Sequence, residues 1–533
     1  MTDAARLRRW FWGGLAAVLA FRFWAAWWLP LTGDEAYFVT WGRAPALGVY
    51  DHPPMIGWIL AGLLQLSQSA VVLRLPAVLA PALIGLGMVA LIRELGGRSP
   101  QAEQAAYAGA LAWLLVPAQV LNVLATTDTP LVLFSALSIG AFALAVRRDA
   151  AVLYAAAGAA LGLAFLSKYF AVLLGLAYVV FAAVSSFARD GARRGIWRGL
   201  AIALAAALPF ALVNAYWNYQ HCWANVLFNL YTRHGDAGLR WWRPLAFLGF
   251  VVYVSSPILL WQLARARPAV RAALAAPAPR LLFVVAVAPL AVLALVAPVR
   301  TIGLHWLLSF TPALFAFGAL ALGAGALVVS VRFLAVVSAL HVGAVAVAAA
   351  LPIETWQRTK AYDAIVQGAR AGELFAALAP WEGRYIFFAD GFSPASVLSY
   401  NAALAGFVAQ PQVRDGWRRH YFPVLASTSH HGRQDDILTD LRAFDGRDLA
   451  IVRKNPPDPG AYERYFRSVE TRVIVVRGAT FHLVLGHGFD FGAYRERVLA
   501  EVRDRLFRIP WFLPQGGCYF CERYFGAATC PTR

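Results

Sequence analysis

Residues 10–30, WFWGGLAAVLAFRFWAAWWLP, form a long apolar run that leads directly into the polar segment TGDEAY at residues 32–37. A run of about 20 apolar residues is long enough to cross the hydrocarbon core of a bilayer as a helix. The acidic pair Asp34 and Glu35 therefore lies at the mouth of a predicted membrane helix. Ionisable groups in this position are costly to bring near lipid and usually mark chemistry or transport.

The composition of the whole chain is typical of a membrane protein. Of its 533 residues 60% are hydrophobic, and the mean hydropathy is +0.58, whereas average usage is about 45–50% apolar. Long apolar runs fill the first two thirds of the chain, and ordinary polar and charged residues begin near Glu354. We predict a transmembrane domain over residues 1–352 and a soluble domain over residues 353–533.

The apolar runs predict a polytopic α-helical membrane fold of about 11–13 spans. They cover residues 10–30, 71–92, 105–122, 129–146, 151–167, 169–187, 199–217, 244–264, 281–298, 305–322 and 327–351. The first run follows three arginines, as in a signal peptide, but it is long, rich in aromatic residues and without a small-residue cleavage site. These features indicate a retained anchor helix.

Arginines cluster in alternate gaps between the apolar runs. The clusters are Arg6, Arg8 and Arg9; Arg93 and Arg98; Arg147 and Arg148; Arg189, Arg193, Arg194 and Arg198; and Arg265, Arg267, Arg271 and Arg280. The positive-inside rule places this side in the cytoplasm. Membrane orientation thus explains the net charge of +18 without a nucleic-acid partner. We expect the polar motifs and the C-terminal domain on the opposite, periplasmic side of a bacterial inner membrane.

Two outer regions are predicted to be ordered. The first outer loop, residues 31–70, contains a short apolar segment after a double proline, which is typical of an amphipathic helix lying on the membrane surface. We therefore expect this loop to form a structured cap. The C-terminal domain is predicted to be α/β, with strand-like runs at residues 385–388, 449–452 and 473–476 and helical stretches between them.

The pair Asp34 and Glu35 admits a structural and a catalytic interpretation. The two acids could cap a helix or form a surface pair, or a carboxylate that is partly shielded from water at this position could accept a proton during catalysis. The adjacent Gly33 and the aromatic Tyr37 favour function. We therefore take Asp34 and Glu35 as candidate catalytic residues and Tyr37 as a candidate substrate contact.

The segment GVYDHPP, residues 48–54, is the second polar motif. Its prolines restrict the backbone and present Asp51 and His52 outward. The acid and the imidazole could bind a divalent metal, hold a phosphate through protonated His52, or cap the following helix, and the first two are equally favoured. A metal would need a further ligand, for which His234 is the candidate. No cofactor is required by these patterns, and a divalent metal is an open alternative.

Asp128 and Lys168 lie at the outer ends of two further predicted spans. Asp128 precedes Thr-Pro and would be a good helix N-cap, but its position on the same face as Asp34 makes a catalytic role equally plausible. Lys168 could be a snorkelling anchor or a compact ammonium that holds a phosphate. We favour the second, because the chain uses arginine at almost every other basic position.

Three other outer cations are weaker candidates. Arg233 lies in an outer loop rich in aromatic residues, and Arg300 and His305 flank a short outer turn. Each could bind an anionic headgroup or simply lie at the membrane interface. The four cysteines, Cys222, Cys518, Cys521 and Cys530, could form disulfides or a metal knuckle or have no special role, and an oxidising compartment would favour disulfides.

Together these motifs resemble those of the C-type membrane glycosyltransferases, in particular the bacterial branch related to protein O-mannosyltransferases and lipid A aminoarabinose transferases. The motifs that carry the resemblance are DEAY (34–37), YDHPP (50–54), TDTP (127–130) and GLAFLSKY (162–169). The first two are fairly specific at this spacing. The resemblance covers residues 10–350, and the C-terminal domain matches only in type and placement.

The resemblance implies inverting transfer of a sugar from a polyprenyl-phosphate donor to an acceptor at the outer face. Asp34 matches the catalytic acid of the family and would act as general base on the acceptor hydroxyl. The leaving lipid phosphate is an anion and needs cations rather than a proton donor. Lys168, Arg300 and His52 are the candidates for this role.

One departure from the family pattern bears on the substrate. The aminoarabinose transferases carry Glu-Lys before the double proline, where this chain has Asp51-His52. This difference argues against aminoarabinose as the sugar and weakens the case for lipid A as the acceptor. A hexose or a uronic acid, transferred to lipopolysaccharide, another envelope glycan or a protein, stays open.

A lipid or solute transporter is the main alternative, with Asp34 and Lys168 as coupling residues. The polar residues, however, cluster at one face, whereas transporter sites usually lie near the bilayer midplane. A large outer α/β domain also suits an acceptor-binding enzyme better. A binding or assembly protein without turnover would leave the grouped carboxylates unexplained.

Overall fold

The computed structural model describes residues 3–187, 193–234, 238–426, 432–526 and 530–532. The chain divides into two compact units. The helical unit consists of Met1–Trp28, Arg74–Val213 and Asp236–Ala349, and the mixed unit consists of Leu29–Leu73, Asn214–Gly235 and Ala350–Arg533. Arg189 of the predicted cytoplasmic clusters, and the side chain of Arg193, lie outside the described residues.

Helices make up the helical unit, and the predicted apolar runs fall on them, although the runs 105–122 and 244–264 each cover parts of two helices. The helices are Asp3–Trp28, Ala70–Leu95, Pro100–Leu114, Pro117–Leu121, Asp128–Arg148, Ala151–Ser167, Ala171–Ser185, Arg193–Gln220, Trp242–Ser255, Pro257–Arg265, Arg267–Ala275, Pro277–Val296 and Thr311–Ala350. The last two predicted runs share Thr311–Ala350, which breaks at Gly323 with a φ of 73°. Glycine adopts this left-handed conformation freely, so the helix changes direction there.

Several of these helices can cross a membrane, which confirms a multi-pass membrane protein. Within the described residues, five helices are long and apolar enough, or up to seven if two bent pairs each count as one span. The pairs are Asp3–Trp28 with Gly33–Arg43 and Trp242–Ser255 with Pro257–Arg265. Ala151–Ser167 and Ala171–Ser185 are also apolar but shorter. The predicted number of 11–13 spans is higher than this count.

Close backbone packing holds the helical unit together. A Cβ atom added at Gly158 would lie 2.0 Å from the carbonyl oxygen of Ala203, and one at Gly162 would lie 2.3 Å from the ring of Phe210. Glycines four residues apart on one helix let two membrane helices approach closely. This spacing therefore packs Ala151–Ser167 directly against Arg193–Gln220, the helix that contains Ala203 and Phe210.

The mixed unit contains a four-stranded sheet. Its strands are β1 (Ile386–Ala389), β2 (Leu449–Arg453), β3 (Phe466–Val476) and β4 (Ala479–Phe489), in the order β1-β2-β4-β3. β1 and β2 are parallel, and the other pairs are antiparallel. Arg477 and Gly478 both have positive φ, as a tight two-residue hairpin between β3 and β4 requires. The sheet confirms the predicted C-terminal α/β region, and β4 is the strand that the predicted runs do not include.

Short helices complete the mixed unit. They are Gly33–Arg43, Met55–Leu64, Ala224–Leu230, Tyr362–Ala369, Ala371–Leu378, Phe392–Ala405, Gln434–Leu438, Pro459–Tyr462, Phe491–Tyr494, Ala500–Leu506 and Tyr519–Phe525. The structure thus groups the first outer loop with the C-terminal region, whereas the sequence placed that loop in the domain over residues 1–352. The physical reason is an apolar cluster in which Tyr37, Trp41 and Ile56 of the loop pack with Val397 and Tyr400.

Disulfide bonds involve all four cysteines. Cys222 pairs with Cys518, and Cys521 pairs with Cys530. The first bond links the segment Asn214–Gly235 to the C-terminal end of the same unit. Of the alternatives open from the sequence, the structure therefore favours disulfides.

Candidate functional site

A cavity of about 610 Å³ lies within the mixed unit. Its lining includes Asp51, His52, Tyr231, Arg233, Arg433 and Arg505. These residues come from the first outer loop, from the segment after Ala224–Leu230 and from the C-terminal region. We call this space the arginine cavity.

Asp51 is the buried acid of the arginine cavity, with an exposed fraction of 2%. Its Oδ2 accepts from Arg433 Nη1 at 3.1 Å, and its Oδ1 accepts from the Tyr37 hydroxyl at 3.3 Å. Burial raises the pKa of the Asp51 carboxyl above its ordinary value, and the charges of Arg433 and Arg233 oppose this rise. The carboxylate is thus held in place by a cation and a hydroxyl on opposite oxygens.

Arg433 is fixed by aromatic rings as well as by Asp51. Its guanidinium carbon lies 3.9 Å from the ring centroid of Phe392 and 4.9 Å from that of Phe228. Such cation–π contacts stabilise a cation by about 0.5–2 kcal/mol each. The next residue, Gln434, donates its backbone N–H to the Tyr37 hydroxyl at 3.1 Å and accepts from the Tyr50 N–H at 2.9 Å through its side chain.

The charge of the arginine cavity is positive. Among its described lining residues, Arg233, Arg433 and Arg505 face a single carboxylate, that of Asp51. The described lining residues therefore carry a formal net charge of +2, three arginines less one carboxylate. Guanidinium groups match phosphate and carboxylate oxygens in geometry. The cavity is therefore suited to an anionic ligand.

The proposed metal ligands do not form a set that the structure can test. His52 lines the arginine cavity, and the Asp51 carboxylate already has Arg433 and Tyr37 as partners. The side chain of His234 lies outside the described residues. Among the described residues, the group of potential metal ligands is Cys222, Cys518 and Cys530, whose sulfurs are engaged in disulfides. A metal at Asp51 and His52 stays a prediction from the sequence.

Glu35 and Asp34 have different environments in the first turn of Gly33–Arg43. Glu35 is buried and forms a capping box with Thr32, whose N–H and hydroxyl both donate to its carboxylate at 3.1 Å. Asp34 is exposed, rather than shielded as expected, and forms no hydrogen bond or ion pair with the residues that the structure describes. Capping thus accounts for Glu35, and the carboxylate of Asp34 is accessible to a substrate.

Gly33 explains how this helix start is positioned. A Cβ atom at Gly33 would lie 1.9 Å from the Ser393 hydroxyl oxygen. A larger residue at this position would therefore push Gly33–Arg43 and Phe392–Ala405 apart. Tyr37 lies one turn after Asp34 on the same helix and contacts Asp51. Residues three apart lie on neighbouring positions of one helical face. Asp34 is therefore one helical turn away from Tyr37, which donates a hydrogen bond to Asp51 in the arginine cavity.

Asp128 and Lys168 form a buried ion pair in the helical unit. Lys168 Nζ donates to both carboxylate oxygens of Asp128 at 2.8 and 3.0 Å, and the two side chains are 7% and 10% exposed. His305 Nε2 lies 3.9 Å from the same carboxylate. Asp128 is the first residue of its helix and does not act as its N-cap, which is Thr127. Lys168 is too buried to be a snorkelling anchor, and its charge is balanced by Asp128.

The remaining predicted residues are distributed between the units. Arg233 lines the arginine cavity with Asp51 and His52. Arg300 is half-buried in the helical unit, after Pro277–Val296. The structure thus brings together Tyr37, Asp51, His52 and Arg233 in one unit, and Asp128, Lys168 and His305 in the other.

Sequence reasoning missed Arg433, Arg505 and the two rings that hold Arg433. Arg433 is separated from Asp51 by 382 positions, and it lies in a region with many other arginines. One local signal was present, because Arg433 directly precedes the short polar run QDD at residues 434–436, and the structure buries all three of these side chains. Burial could not be inferred from these letters alone.

Known proteins share parts of this sequence and its fold. Residues 51–213 match the family of dolichyl-phosphate-mannose-protein mannosyltransferases. The chain is 28% identical over 254 residues to the lipid A galacturonosyltransferase RgtD of Rhizobium johnstonii, a match that covers 46% of this chain and 52% of that protein. This chain therefore spans about half the length of that relative.

Solved structures of ArnT from Cupriavidus metallidurans have a similar fold. The structure bound to undecaprenyl phosphate gives a TM-score of 0.55 at 16% identity and covers 89% of this chain and 98% of that chain. The apo structure gives 0.55 at 18% identity, with coverages of 90% and 98%. These findings confirm the predicted resemblance to C-type membrane glycosyltransferases at the level of the fold.

Proposed function

We propose that this chain, which has the fold of the C-type membrane glycosyltransferases, transfers a sugar from a polyprenyl-phosphate donor to an acceptor in the bacterial envelope. In this proposal the reaction takes place at the periplasmic face of the inner membrane. The observation that carries it is the accessible Asp34 carboxylate, one helical turn from the Tyr37–Asp51 contact at the arginine cavity. A free base and an anion-binding cavity are the two parts that transfer from a lipid phosphate needs.

Asp34 would act as the general base. It takes the proton from the acceptor hydroxyl while the oxygen of that hydroxyl forms a bond to the anomeric carbon of the sugar. The bond between that carbon and the phosphate oxygen breaks, and polyprenyl phosphate leaves with the electron pair. Attack opposite to the leaving group inverts the anomeric centre. General base catalysis of this kind contributes about 10²–10⁴-fold in rate.

The arginine cavity would bind the anionic part of the donor. Arg233 and Arg505 bring positive charge to the lining of the cavity, and oriented cations stabilise the negative charge of a departing phosphate. Arg433 holds Asp51 and is itself stacked on Phe392, so its role is to position the cavity wall. Lys168, whose charge Asp128 already balances, is a weaker candidate for phosphate than the sequence suggested.

A uronic acid is the donor sugar that we propose. A polyprenyl-phosphate uronic acid carries one phosphate and one carboxylate, and the described residues that line the arginine cavity have a formal net charge of +2. The relative RgtD is named as a lipid A galacturonosyltransferase, which supports a uronic acid and a glycolipid acceptor of the lipid A type. Other envelope glycans or proteins are the alternative acceptors.

The test is release of polyprenyl phosphate from synthetic polyprenyl-phosphate sugars, with an envelope glycolipid extract as the acceptor. The panel contains a uronic acid, a neutral hexose and aminoarabinose on the same lipid. We expect wild-type protein to release polyprenyl phosphate from the uronic acid donor, and Asp34→Asn to lower the rate by about 10²–10⁴-fold because the base is removed.

Glu35→Gln is the matched control for this experiment. Glutamine can form the same capping box as glutamate, so this variant should keep both folding and turnover. Equal loss of turnover in both variants would assign the effect to the helix start and contradict the role of Asp34. Donor binding without release by wild-type protein, with every acceptor supplied, would favour a transporter instead.

A further inference from the structure

A second cavity, of about 880 Å³, lies entirely within the helical unit. It is bordered by the helices Ala70–Leu95 and Asp128–Arg148 and by the start of Thr311–Ala350. Most of its lining is aliphatic, including Leu83, Leu91, Leu133, Leu137, Leu144 and Ala316. We call this space the aliphatic cavity.

Among the described residues that line the aliphatic cavity, the charged ones lie at one end. Arg93, Glu94, Arg98 and Arg148 all border it. Glu94 pairs with Arg98 and with Arg148, each at 2.8 Å. Three arginines against this one carboxylate leave an excess of two positive charges among the described lining residues. The side chains of Arg98 and Arg148 are 75% and 49% exposed, so they are accessible to a ligand from solvent or from the headgroup layer.

The aliphatic part of the cavity has the depth of one membrane leaflet. Leu83 and Leu91 are eight positions apart and so about 12 Å along their helix, and Leu133 and Leu144 are eleven positions apart and so about 16 Å, at 1.5 Å per residue. Half of a hydrocarbon core of about 30 Å is about 15 Å. Leu83 and Leu137 are 56% and 54% exposed, so the cavity is bordered by aliphatic side chains that lie at the protein surface.

Missing side chains account for part of this space. Gly87 and Gly140 both line the aliphatic cavity, and a Cβ atom added at either would meet no atom within 4 Å. These glycines are therefore not required for close helix packing, unlike Gly158. Glycine inside a helix costs about 1 kcal/mol relative to alanine, and here that cost leaves room beside the two helices.

We propose that the aliphatic cavity binds one anionic phospholipid, with its acyl chains along Leu83–Leu91 and Leu133–Leu144 and its phosphate at Arg98 and Arg148. The aliphatic walls match the acyl chains, the leaflet depth matches their length, and the excess positive charge matches the headgroup. A polyprenyl chain of many isoprene units is longer than this depth. A phospholipid is therefore the better fit.

This site shares no lining residue with the arginine cavity, and its charged end is also far from the Asp128–Lys168 pair. Asp128 begins the helix that Arg148 ends, and 20 residues of helix separate them by about 30 Å. The charged end of the aliphatic cavity thus lies a full helix length from the Asp128–Lys168 pair. The proposal does not depend on the proposed activity.

The experiment is native mass spectrometry of the purified full-length protein in detergent, titrated with phosphatidylglycerol or with phosphatidylcholine of the same acyl chains. We expect one phosphatidylglycerol per chain, bound about tenfold or more tightly than phosphatidylcholine, because the quaternary ammonium of phosphatidylcholine cancels its phosphate charge, whereas phosphatidylglycerol keeps a net negative charge that arginines attract. The variant Arg98→Gln/Arg148→Gln should lose this preference.

Filling the cavity provides the second variant. Gly140→Leu places a side chain in the open space and should weaken phosphatidylglycerol binding about tenfold or more, as expected when a ligand of tens of atoms loses part of its contact area. Gly249→Leu is the matched control, since Gly249 also faces open space but does not line the aliphatic cavity. Gly87→Leu replaces Gly140→Leu if that variant does not fold, as judged by its thermal unfolding.

Three results would overturn the proposal. Equal binding by wild-type protein, Gly140→Leu and Gly249→Leu would mean that lipid attaches elsewhere. Equal binding of the two phospholipids would remove the headgroup site. Displacement of phosphatidylglycerol by equimolar polyprenyl phosphate, in wild-type protein and not in Gly140→Leu, would assign the cavity to the isoprenoid chain.

Discussion

Asp128 in the helical unit and Asp51 in the mixed unit are both buried carboxylates paired with a cation, but their partners differ. The Lys168 side chain is 7% exposed, and its Nζ donates to both carboxylate oxygens of Asp128. Arg433 is 31% exposed, donates to one oxygen of Asp51 and stacks on Phe392 at the edge of the arginine cavity.

Because of this difference, we call Asp128–Lys168 the closed ion pair and Asp51–Arg433 the open ion pair. In the closed pair, charge is neutralised within the protein and little of it can act on a ligand. In the open pair, Asp51 lies in a cavity whose described lining also includes Arg233 and Arg505, so the lining is positive as a whole. Two acids that look alike in sequence therefore have different chemical consequences, which depend on how many cations the fold places around each.

Breaking the closed pair should have the largest effect on stability. Asp128→Asn leaves the Lys168 ammonium buried without a counter-charge, and removing one partner of a buried pair costs about 3–5 kcal/mol. We expect a correspondingly large drop in the thermal unfolding midpoint, followed by tryptophan fluorescence in detergent. The double variant Asp128→Asn/Lys168→Met should recover most of that loss. If Asp128→Asn lowers the free energy of unfolding by less than about 0.5 kcal/mol, the Asp128–Lys168 pair is in contact with water rather than buried.

A third buried carboxylate, Asp435, allows a test by pH, because it is held by hydrogen bonds rather than by an ion pair. It accepts from the Tyr421 and Thr439 hydroxyls and from the Val424 N–H. Burial raises the pKa of Asp435 to about 6, so the folded state binds its proton more tightly than the unfolded state does. The stability that Asp435 contributes is therefore fully present below about pH 4 and is lost as the pH rises through about 6.

The size of this effect is about 3 kcal/mol, since a pKa shift of about two units corresponds to about 1.4 kcal/mol per unit. We expect unfolding midpoints measured from pH 4 to pH 7 to show a decline in wild-type protein that is smaller in Asp435→Asn. Parallel curves for the two proteins would show that Asp435 is ionised throughout, with its three donors outweighing burial.

Removing an arginine from the open side should change ligand binding with little effect on stability. Arg505→Gln removes a charge-assisted contact, and such hydrogen bonds contribute about 1.5–3 kcal/mol. We expect the KM for the polyprenyl-phosphate donor to rise about tenfold or more, while the unfolding midpoint changes little. Arg508→Gln, an exposed arginine of the same unit that does not line the cavity, is the control. Equal kinetics for the two variants would exclude Arg505 from donor binding.

Local patterns in the sequence predicted much of the fold. Apolar length predicted the helices, because each residue in a bilayer contributes to transfer independently of its distant neighbours. Alternation and β-branched residues predicted β1, β2 and the end of β3, whereas β4, with Gly486, Gly488 and two histidines, lacks that signal. The grouping of the first outer loop with the C-terminal region was not predictable, since it depends on an apolar cluster with Val397 and Tyr400.

For the candidate site, the sequence was sufficient to select the acids Asp34, Asp51 and Asp128, because carboxylates beside long apolar runs are costly and therefore conspicuous. The tertiary structure alone decided what each acid does. It engages Glu35 in a cap, pairs Asp128 with Lys168, and brings Arg433 to Asp51 across 382 positions. The physical reason is that hydropathy and propensity are local properties of the chain, whereas burial and the balance of charge depend on which distant segments pack together.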